Sequence, residues 1–336
     1  MTSGTALPPL ADPALSEVLA GRLALVEERL RNAVTQADTL ADTASRHLVN
    51  AGGKRLRPLL TLLAAQLGDA QRPEVVDAAV VVELTHLATL YHDDVMDSAP
   101  LRRGAPAAHE VWGNSVAILT GDLLFARASA TVAGLGPDAV RIQARAFERL
   151  CLGQLHETVG PQNGEDAVEH YLQVLSDKTG SLIATSARFG AMFAGCAPDV
   201  VRMLTEYGER VGVAFQLADD VIDLSADGAT TGKTPGTDLR ERVPTMPVLL
   251  LRSRAARSDA SVADRELVAL LDSDLSSDAD LARAVRGLRG HAVVAETQAL
   301  AVAWAREAVE ELAGLPESSV KDALVSFTDA LVDRAS

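Results

Sequence analysis

Aromatic side chains are scarce, at 3% of the 336 residues. No segment shows the strict apolar–polar alternation of a half-buried strand. A chain so poor in strand signals, and rich instead in Ala, Leu and Val, is expected to be all-α. Cysteine is nearly absent too. Cys151 and Cys196 lack metal-binding spacing and read as reduced core residues of a cytosolic protein. Positive charge is in deficit, with 31 Lys and Arg against 46 Asp and Glu for a net charge of −15. That balance excludes a nucleic-acid partner, which requires clustered cations. The start, MTSGTALPPLADPAL, has neither the basic nor the apolar region of a secretory signal, and no apolar run approaches the ~20 residues that span a bilayer. The expectation is a soluble, cytoplasmic protein without a transmembrane segment.

What the chain does have is a stretch at Leu84–Gly104, LTHLATLYHDDVMDSAPLRRG. An apolar helical run ends in Asp93, Asp94 and Asp97, followed by Arg102 and Arg103. Asp93 and Asp97 fall one helical turn apart on one face. Stacked carboxylates repel unless a cation lies between them, and hard oxygen ligands of this kind suit Mg²⁺ together with substrate phosphate. The arginines add forked donors that match phosphate. Alone, the stretch also admits a reading as a solvated acidic helix end with a basic loop after it. A second copy, AFQLADDVIDL, places Asp219, Asp220 and Asp223 at the same spacing after another apolar run, and two such clusters point to carboxylates holding a metal cluster between them.

These two motifs resemble those of the trans-isoprenyl diphosphate synthases, the polyprenyl synthetase family, and in particular bacterial long-chain polyprenyl diphosphate synthases. The resemblance implies the isoprenoid synthase fold, a helical bundle around a deep central cavity. It implies head-to-tail condensation of isopentenyl diphosphate onto an allylic diphosphate such as farnesyl or geranylgeranyl diphosphate. Asp93, Asp97 and Asp219 would hold Mg²⁺, about two or three ions per active site, with Asp94, Asp220 and Asp223 completing or supporting the cluster. The family's usual state is a homodimer. A greasy product would allow contact with a membrane from its surface.

Other motifs fit the resemblance. AGGKRLRP places Lys54, Arg55 and Arg57 at a helix start, where cations oppose the macrodipole unless an anion is bound. The family implies that Lys54 and Arg57, with His86 and Arg103, hold isopentenyl diphosphate. Unaided, His86 reads as a packed core histidine. The allylic diphosphate falls by resemblance to Arg102, Lys178, Thr179, Gln216 and Lys233. Lys178 and Lys233 also join the six aspartates as catalytic residues. Where many members carry a further lysine, this chain has Arg242 and Val243, which leaves one phosphate contact to Arg242.

Residues 1–14 are expected to form a disordered arm, and 15–336 a single all-helical domain. Amphipathic helix is expected over 15–50, and two apolar helices over 59–92 broken near Gly68 to Pro73. Residues 111–135 read as a buried helix interrupted at Gly121 and Asp122, and 139–157 as a further helix. Helix resumes from 168, and a polar loop over about twenty residues to Thr245 resembles a lid. Amphipathic helices fill 246–336.

Ahead of Asp93, the residues expected to face down the cavity are Thr89 and Ala88, then Thr85 and Leu84. One turn rises about 5.4 Å, close to one isoprene unit. Short-chain relatives often carry bulky aromatic residues there, so the open positions imply a hexaprenyl to decaprenyl product of the quinone side-chain class. Geranylgeranyl diphosphate synthase, or the catalytic subunit of a two-chain synthase, are the alternatives. A terpene cyclase and a silent regulatory subunit fit the second motif and its intact aspartates less well.

Overall fold

The computed structural model describes residues 11–225 and 236–333. Helix α1 (Pro13–Ala33) starts two residues inside the expected arm, because the Asp12 carboxylate accepts hydrogen bonds from the amides of Ala14 at 2.9 Å and Leu15 at 3.3 Å. A cap of this kind contributes ~1 kcal/mol. The helix expected over 15–50 is divided in two. A second cap, Asp38 accepting from the Ala41 amide at 2.8 Å, opens α2 (Thr39–Asn50).

The break at Gly68 to Pro73 falls as expected, between α3 (Leu56–Ala65) and α4 (Pro73–Met96). Next come two short antiparallel strands, β1 (Leu101–Arg102) and β2 (Ala105–Pro106), with Leu101 opposite Pro106 and Arg102 opposite Ala105. Arg103 and Gly104 join them at φ +56° and +77°, the left-handed pair that a tight hairpin requires.

Helices α5 (Ala108–Trp112) and α6 (Asn114–Ala133) follow. Contrary to expectation, α6 runs without interruption through Gly121 and Asp122. Gly121 is the point of close approach to α4, since a Cβ there would lie 2.4 Å from the His92 ring nitrogen. Asp122 reaches water and stands 3.3 Å from His92 Nε2, so the need for a buried partner does not arise. Nor is α6 buried throughout, with Ile118 and Leu119 exposed at 42% and 65%. Contrary to the expectation that no apolar run approaches membrane-spanning length, both α4 and α6 are long and apolar enough to cross a membrane; 78% of the α4 window is buried in the protein but only 33% of the α6 window.

The remaining helices are α7 (Pro137–Val159), α8 (Ala167–Leu175), a π-helical turn Ser176–Gly180, α9 (Ser181–Phe193) and α10 (Pro198–Ser225). Of the expected lid, residues 226–235 lie outside the described residues, and α11 (Thr237–Arg240) follows them. The C-terminal part is helical as expected: α12 (Met246–Ala255), α13 (Val262–Leu271), α14 (Asp278–Arg289), α15 (Ala292–Glu311) and α16 (Ser319–Val332).

Two compact units share these elements. The first comprises residues up to Leu150, Ser181–Glu209 and Val309–Phe327; the second comprises Cys151–Gly180, Arg210–Ala308 and the end of the chain from Thr328. In the first unit α4 is the central element, packed by α1, α3, α6 and α9. Its buried side includes Val75, Ala79, Val82 and Leu87. The second unit is built on two apolar clusters, one around Leu175, Leu217 and Met246, the other around Leu224, Leu251 and Leu288.

Candidate active site

In the first unit the aspartates stand at the C-terminal end of α4, and Asp97 is its C-cap, with an amide that donates to the Asp93 carbonyl at 2.8 Å. Three carboxylates at the negative end of a helix dipole are unfavourable without a cation. Their surroundings separate them. Asp94 is fully buried and accepts from Arg102 Nε at 2.5 Å. Burial pushes its carboxyl above the usual range, against the pull of Arg102. Asp93 is half-buried and Asp97 exposed. On the C-terminal half of α4 the positions left partly open include His86, Leu90 and Asp93, which share one face at spacings of four and three. Leu90 is an addition that sequence reasoning missed.

The same unit carries the GKRLRP turn. Gly53 adopts φ +141°, and a Cβ there would sit 2.7 Å from the guanidinium carbon of Arg103. Only glycine lets Arg103 lie flat against this backbone. Arg103 donates to the carbonyls of Leu48, at 3.1 Å, and Gly52. Arg55, to which no binding role was assigned, is buried at the left-handed N-cap of α3. It donates to Glu27 at 2.5 Å, to Glu83 at 2.8 Å and to the carbonyls of Gly52 and Val49 at 3.2 Å. Burial would lower its pKa, but Glu83 and Glu27 outweigh that and leave it raised.

Glu83 is itself only 1% exposed and lies 3.8 Å from Arg103. The signal for it lies in the sequence: a glutamate amid AVVVELTHL is an apolar run's one carboxylate and needs cations. Arg57 is half-buried, and its Nε is enclosed with no hydrogen-bond partner among the described residues. Burial, with the like charge of Arg103, brings its pKa down to about 10. His86 is held well below the usual imidazole value by burial and then by Arg57 and Arg103, so it is neutral at physiological pH. Lys54 is exposed beside them. The structure thus brings the cations Arg57 and Arg103 together with neutral His86 near a buried carboxylate.

Leu84, Thr85 and Ala88 are at most 1% exposed, and Thr89 6%. The hydroxyls of Thr85 and Thr89 donate to the carbonyls of Val81 and His86, each at 2.8 Å, so both present methyl groups to their surroundings.

In the second unit, Gln216, Asp219 and Asp223 are half-buried positions on the last turns of α10, spaced by three and four along one face. Asp220 points the other way, 4% exposed. It accepts from the Tyr171 hydroxyl at 3.0 Å and from the Met246 amide, at the start of α12, at 3.0 Å. Burial pushes its pKa well above the usual carboxylate range. Lys178 and Thr179 lie in the π-helical turn, a rare local geometry often found at functional sites. Lys178 donates to Glu157 at 2.5 Å, and Glu157 also accepts from Gln154 at 3.0 Å. Arg242 is exposed at φ +60° with Asp274 as a charged neighbour. Lys233 lies outside the described residues.

Among the described residues no three His, Cys, Asp or Glu side chains are preassembled to hold a metal ion. Mg²⁺ usually takes one or two carboxylates and fills its remaining positions with water and substrate phosphate. The donor sets present, partly exposed carboxylates at helix C-termini, fit such an ion.

Comparison with known proteins identifies the family. The family model described as polyprenyl synthetase matches residues 38–287. The chain is 44% identical over 326 residues to a nonaprenyl diphosphate synthase of Mycobacterium tuberculosis, covering 97% of this chain and 96% of that one. It superposes with TM-score 0.87 at 33% identity on a polyprenyl synthase of Caulobacter crescentus solved with calcium and isoprenyl diphosphate, covering 96% and 97% of the two chains. A geranylgeranyl pyrophosphate synthase of Corynebacterium glutamicum, also solved with calcium and isoprenyl diphosphate, gives TM-score 0.85 at 40% identity over 97% and 99%.

Proposed function

The chain belongs to the polyprenyl synthetase family, with the isoprenoid synthase fold and a prenyltransferase activity that makes polyprenyl diphosphates, and on that premise we propose that it makes a long-chain, all-trans product by a Mg²⁺-dependent reaction. Its substrates are isopentenyl diphosphate and an allylic diphosphate such as farnesyl or geranylgeranyl diphosphate. The product is of hexaprenyl to decaprenyl class and serves as a quinone side-chain precursor. Residues 15–336 act as one catalytic domain in the cytoplasm, and any contact with a membrane is peripheral.

The observation that carries the reading is the division of labour inside both aspartate motifs. In each, the middle aspartate is buried and bonded, while its neighbours reach the surface at the negative end of a helix. Asp93 and Asp97 in one motif, and Asp219 in the other, are the residues that would hold two or three Mg²⁺ ions, with Asp223 in support. When bound, Mg²⁺ neutralises the negative charge that develops on the departing diphosphate.

Lys178 and Arg102 add fixed positive charge for the allylic diphosphate, assisted by Thr179, Gln216 and Lys233. The allylic carbon–oxygen bond breaks, its electron pair leaving with diphosphate. Arg57 and Arg103, with Lys54 and neutral His86, hold isopentenyl diphosphate so that its double bond meets the allylic carbon. The new carbon–carbon bond forms from that π pair, and the proton lost from the adjacent carbon passes to the freed diphosphate. Arg57 Nε, enclosed and without a partner among the described residues, supports an anion at this position.

Thr85, Ala88 and Thr89 are small enough to leave room for a growing chain, which favours the long product. The likeness to the geranylgeranyl synthase of C. glutamicum favours a second reading, a C20 product. Incubation with Mg²⁺, labelled isopentenyl diphosphate and farnesyl diphosphate, followed by dephosphorylation, decides between them. Products beyond geranylgeraniol are expected, and a stop at geranylgeraniol overturns the long-chain reading. A homodimer is supported by Ile118 and Leu119 on α6, exposed in the single chain at 42% and 65%. Leu119→Glu should shift the sedimenting species to monomer.

A further inference from the structure

We propose that a groove between α7, α9 and α10, built within the first unit and from none of the residues assigned above, is a second anion site that takes a diphosphate group. The groove encloses about 780 Å³ and is lined by Arg141, Arg145, Arg149 and Arg188. Three of these arginines recur every fourth residue along α7, so their guanidinium groups stack on one face and repel one another. Arg188 joins them from α9. In a chain of net charge −15, so dense a cluster of cations runs against the composition.

Carboxylates neutralise the row only at its ends. Arg141 pairs with Asp138, and Arg149 pairs with Glu209 through two bonds, one of them 3.0 Å long. Arg145, in the middle, has no ion pair among the described residues, and neither has Arg188. Moreover Arg188 Nε is enclosed and lacks a hydrogen-bond partner among the described residues. A buried guanidinium nitrogen left unmatched is costly, and a dianion between Arg145 and Arg188 would satisfy it while relieving the repulsion along α7.

The neutral groups narrow the ligand. Thr185 and Thr205 already donate their hydroxyl hydrogens to the carbonyls of Ser181 at 2.8 Å and Val201 at 2.6 Å. The charged donors of the groove are guanidinium forks, which match phosphate oxygens in pairs. Ile142, Ala146 and Met192 supply an apolar wall beside them. Diphosphate could arrive free or as the head of a prenyl chain, and the wall would distinguish the two.

The test is isothermal titration of the full chain in excess EDTA, so that the aspartate motifs carry no metal–diphosphate complex. With inorganic diphosphate, the wild type should bind one more anion per chain than an Arg145→Gln/Arg188→Gln variant. That variant should keep the wild-type circular dichroism spectrum and the rate of a single condensation. Farnesyl diphosphate binding the extra site more tightly than inorganic diphosphate identifies a prenyl head group, and equal binding identifies the free anion. Should the double variant fail to fold, Arg145→Gln alone, at an exposed position, should weaken the site about tenfold, the worth of one charge-assisted hydrogen bond. Isotherms unchanged between wild type and the folded variant overturn the proposal.

Discussion

At the end of α4 the buried aspartate, Asp94, is bonded to a cation, Arg102; at the end of α10 its counterpart, Asp220, is bonded to a neutral hydroxyl and a backbone amide. The spacing of the two motifs is identical, yet their middle residues are anchored by different chemistry. In the first unit the anchor ties the helix end to the β1–β2 hairpin, eight residues along the chain. In the second it ties α10 to Tyr171 on α8 and to the first turn of α12. What the motifs share is the outcome: in each, one carboxylate is withdrawn and two reach the surface. The doubled aspartate thus pairs a buried support with a more open carboxylate, and the support can be rebuilt from whatever the surrounding fold provides.

The largest expected effect tests the shared part. Asp93→Ala and Asp219→Ala should each lower the condensation rate by ~10³-fold or more, several kcal/mol of transition-state stabilisation, with little change in thermal unfolding. A rapid Asp219→Ala enzyme would break the equivalence of the two motifs. The next effect tests what differs. Asp220→Ala leaves the Met246 amide and the Tyr171 hydroxyl buried without an acceptor and should cost ~1–3 kcal/mol in denaturant unfolding. Asp94→Ala should cost less, because Arg102, with 26% of its side chain exposed, can turn to water. Equal losses would mean that the two anchors are energetically alike.

A third variant sharpens the contrast by acting on the first unit alone. Glu83→Gln removes the negative charge beneath Arg55 and Arg103, which keep their backbone partners. The KM for isopentenyl diphosphate should rise about tenfold, one charge-assisted contact, with the allylic KM unchanged; a parallel rise in both would show a merely structural role.

Smaller still is the contribution of His86. Its folded pKa lies below the unfolded value near 6.5, so below that pH the unfolded chain takes up a proton that the folded one does not. Stability should therefore fall as pH drops below about 6.5, by at most ~1.4 kcal/mol per pH unit, and His86→Gln should flatten that part of the curve. Last, Arg242→Ala should raise the KM for the allylic diphosphate by about two- to threefold, as for a partly solvated ion pair. Unchanged constants would assign Arg242 to Asp274 instead.

Much of this was legible in the chain. Proline at the start of α4, and apolar runs closed by aspartates, are local signals, and the helices ended where they indicate. Asp38 was an equally local cap signal ahead of α2, masked by the amphipathic pattern on both sides of it. Gly121 misled for the opposite reason. A glycine in a helix reads as a weakness, whereas here it admits the His92 ring of a neighbouring helix. The separation of Asp94 from Asp93, and of Asp220 from Asp219, was not legible. It depends on Arg102, Tyr171 and Met246, contacts that only the folded chain supplies. Glu83 was hidden likewise, since its partner Arg55 lies 28 residues away and carried no assigned role.

The hairpin turn at Arg103 and Gly104 has a mechanical consequence. Arg102 and Arg103 are adjacent, yet one grips the aspartate motif at the end of α4 and the other grips the carbonyls of Leu48 and Gly52 beside the GKRLRP turn. With both junction residues in left-handed conformations, the tight turn sets the two adjacent side chains on these separate partners, as a yoke would. An occupant that stills the yoke from one side removes freedom that an occupant on the other would otherwise have to remove. Any linkage carried by this ribbon would be of equal size in either direction.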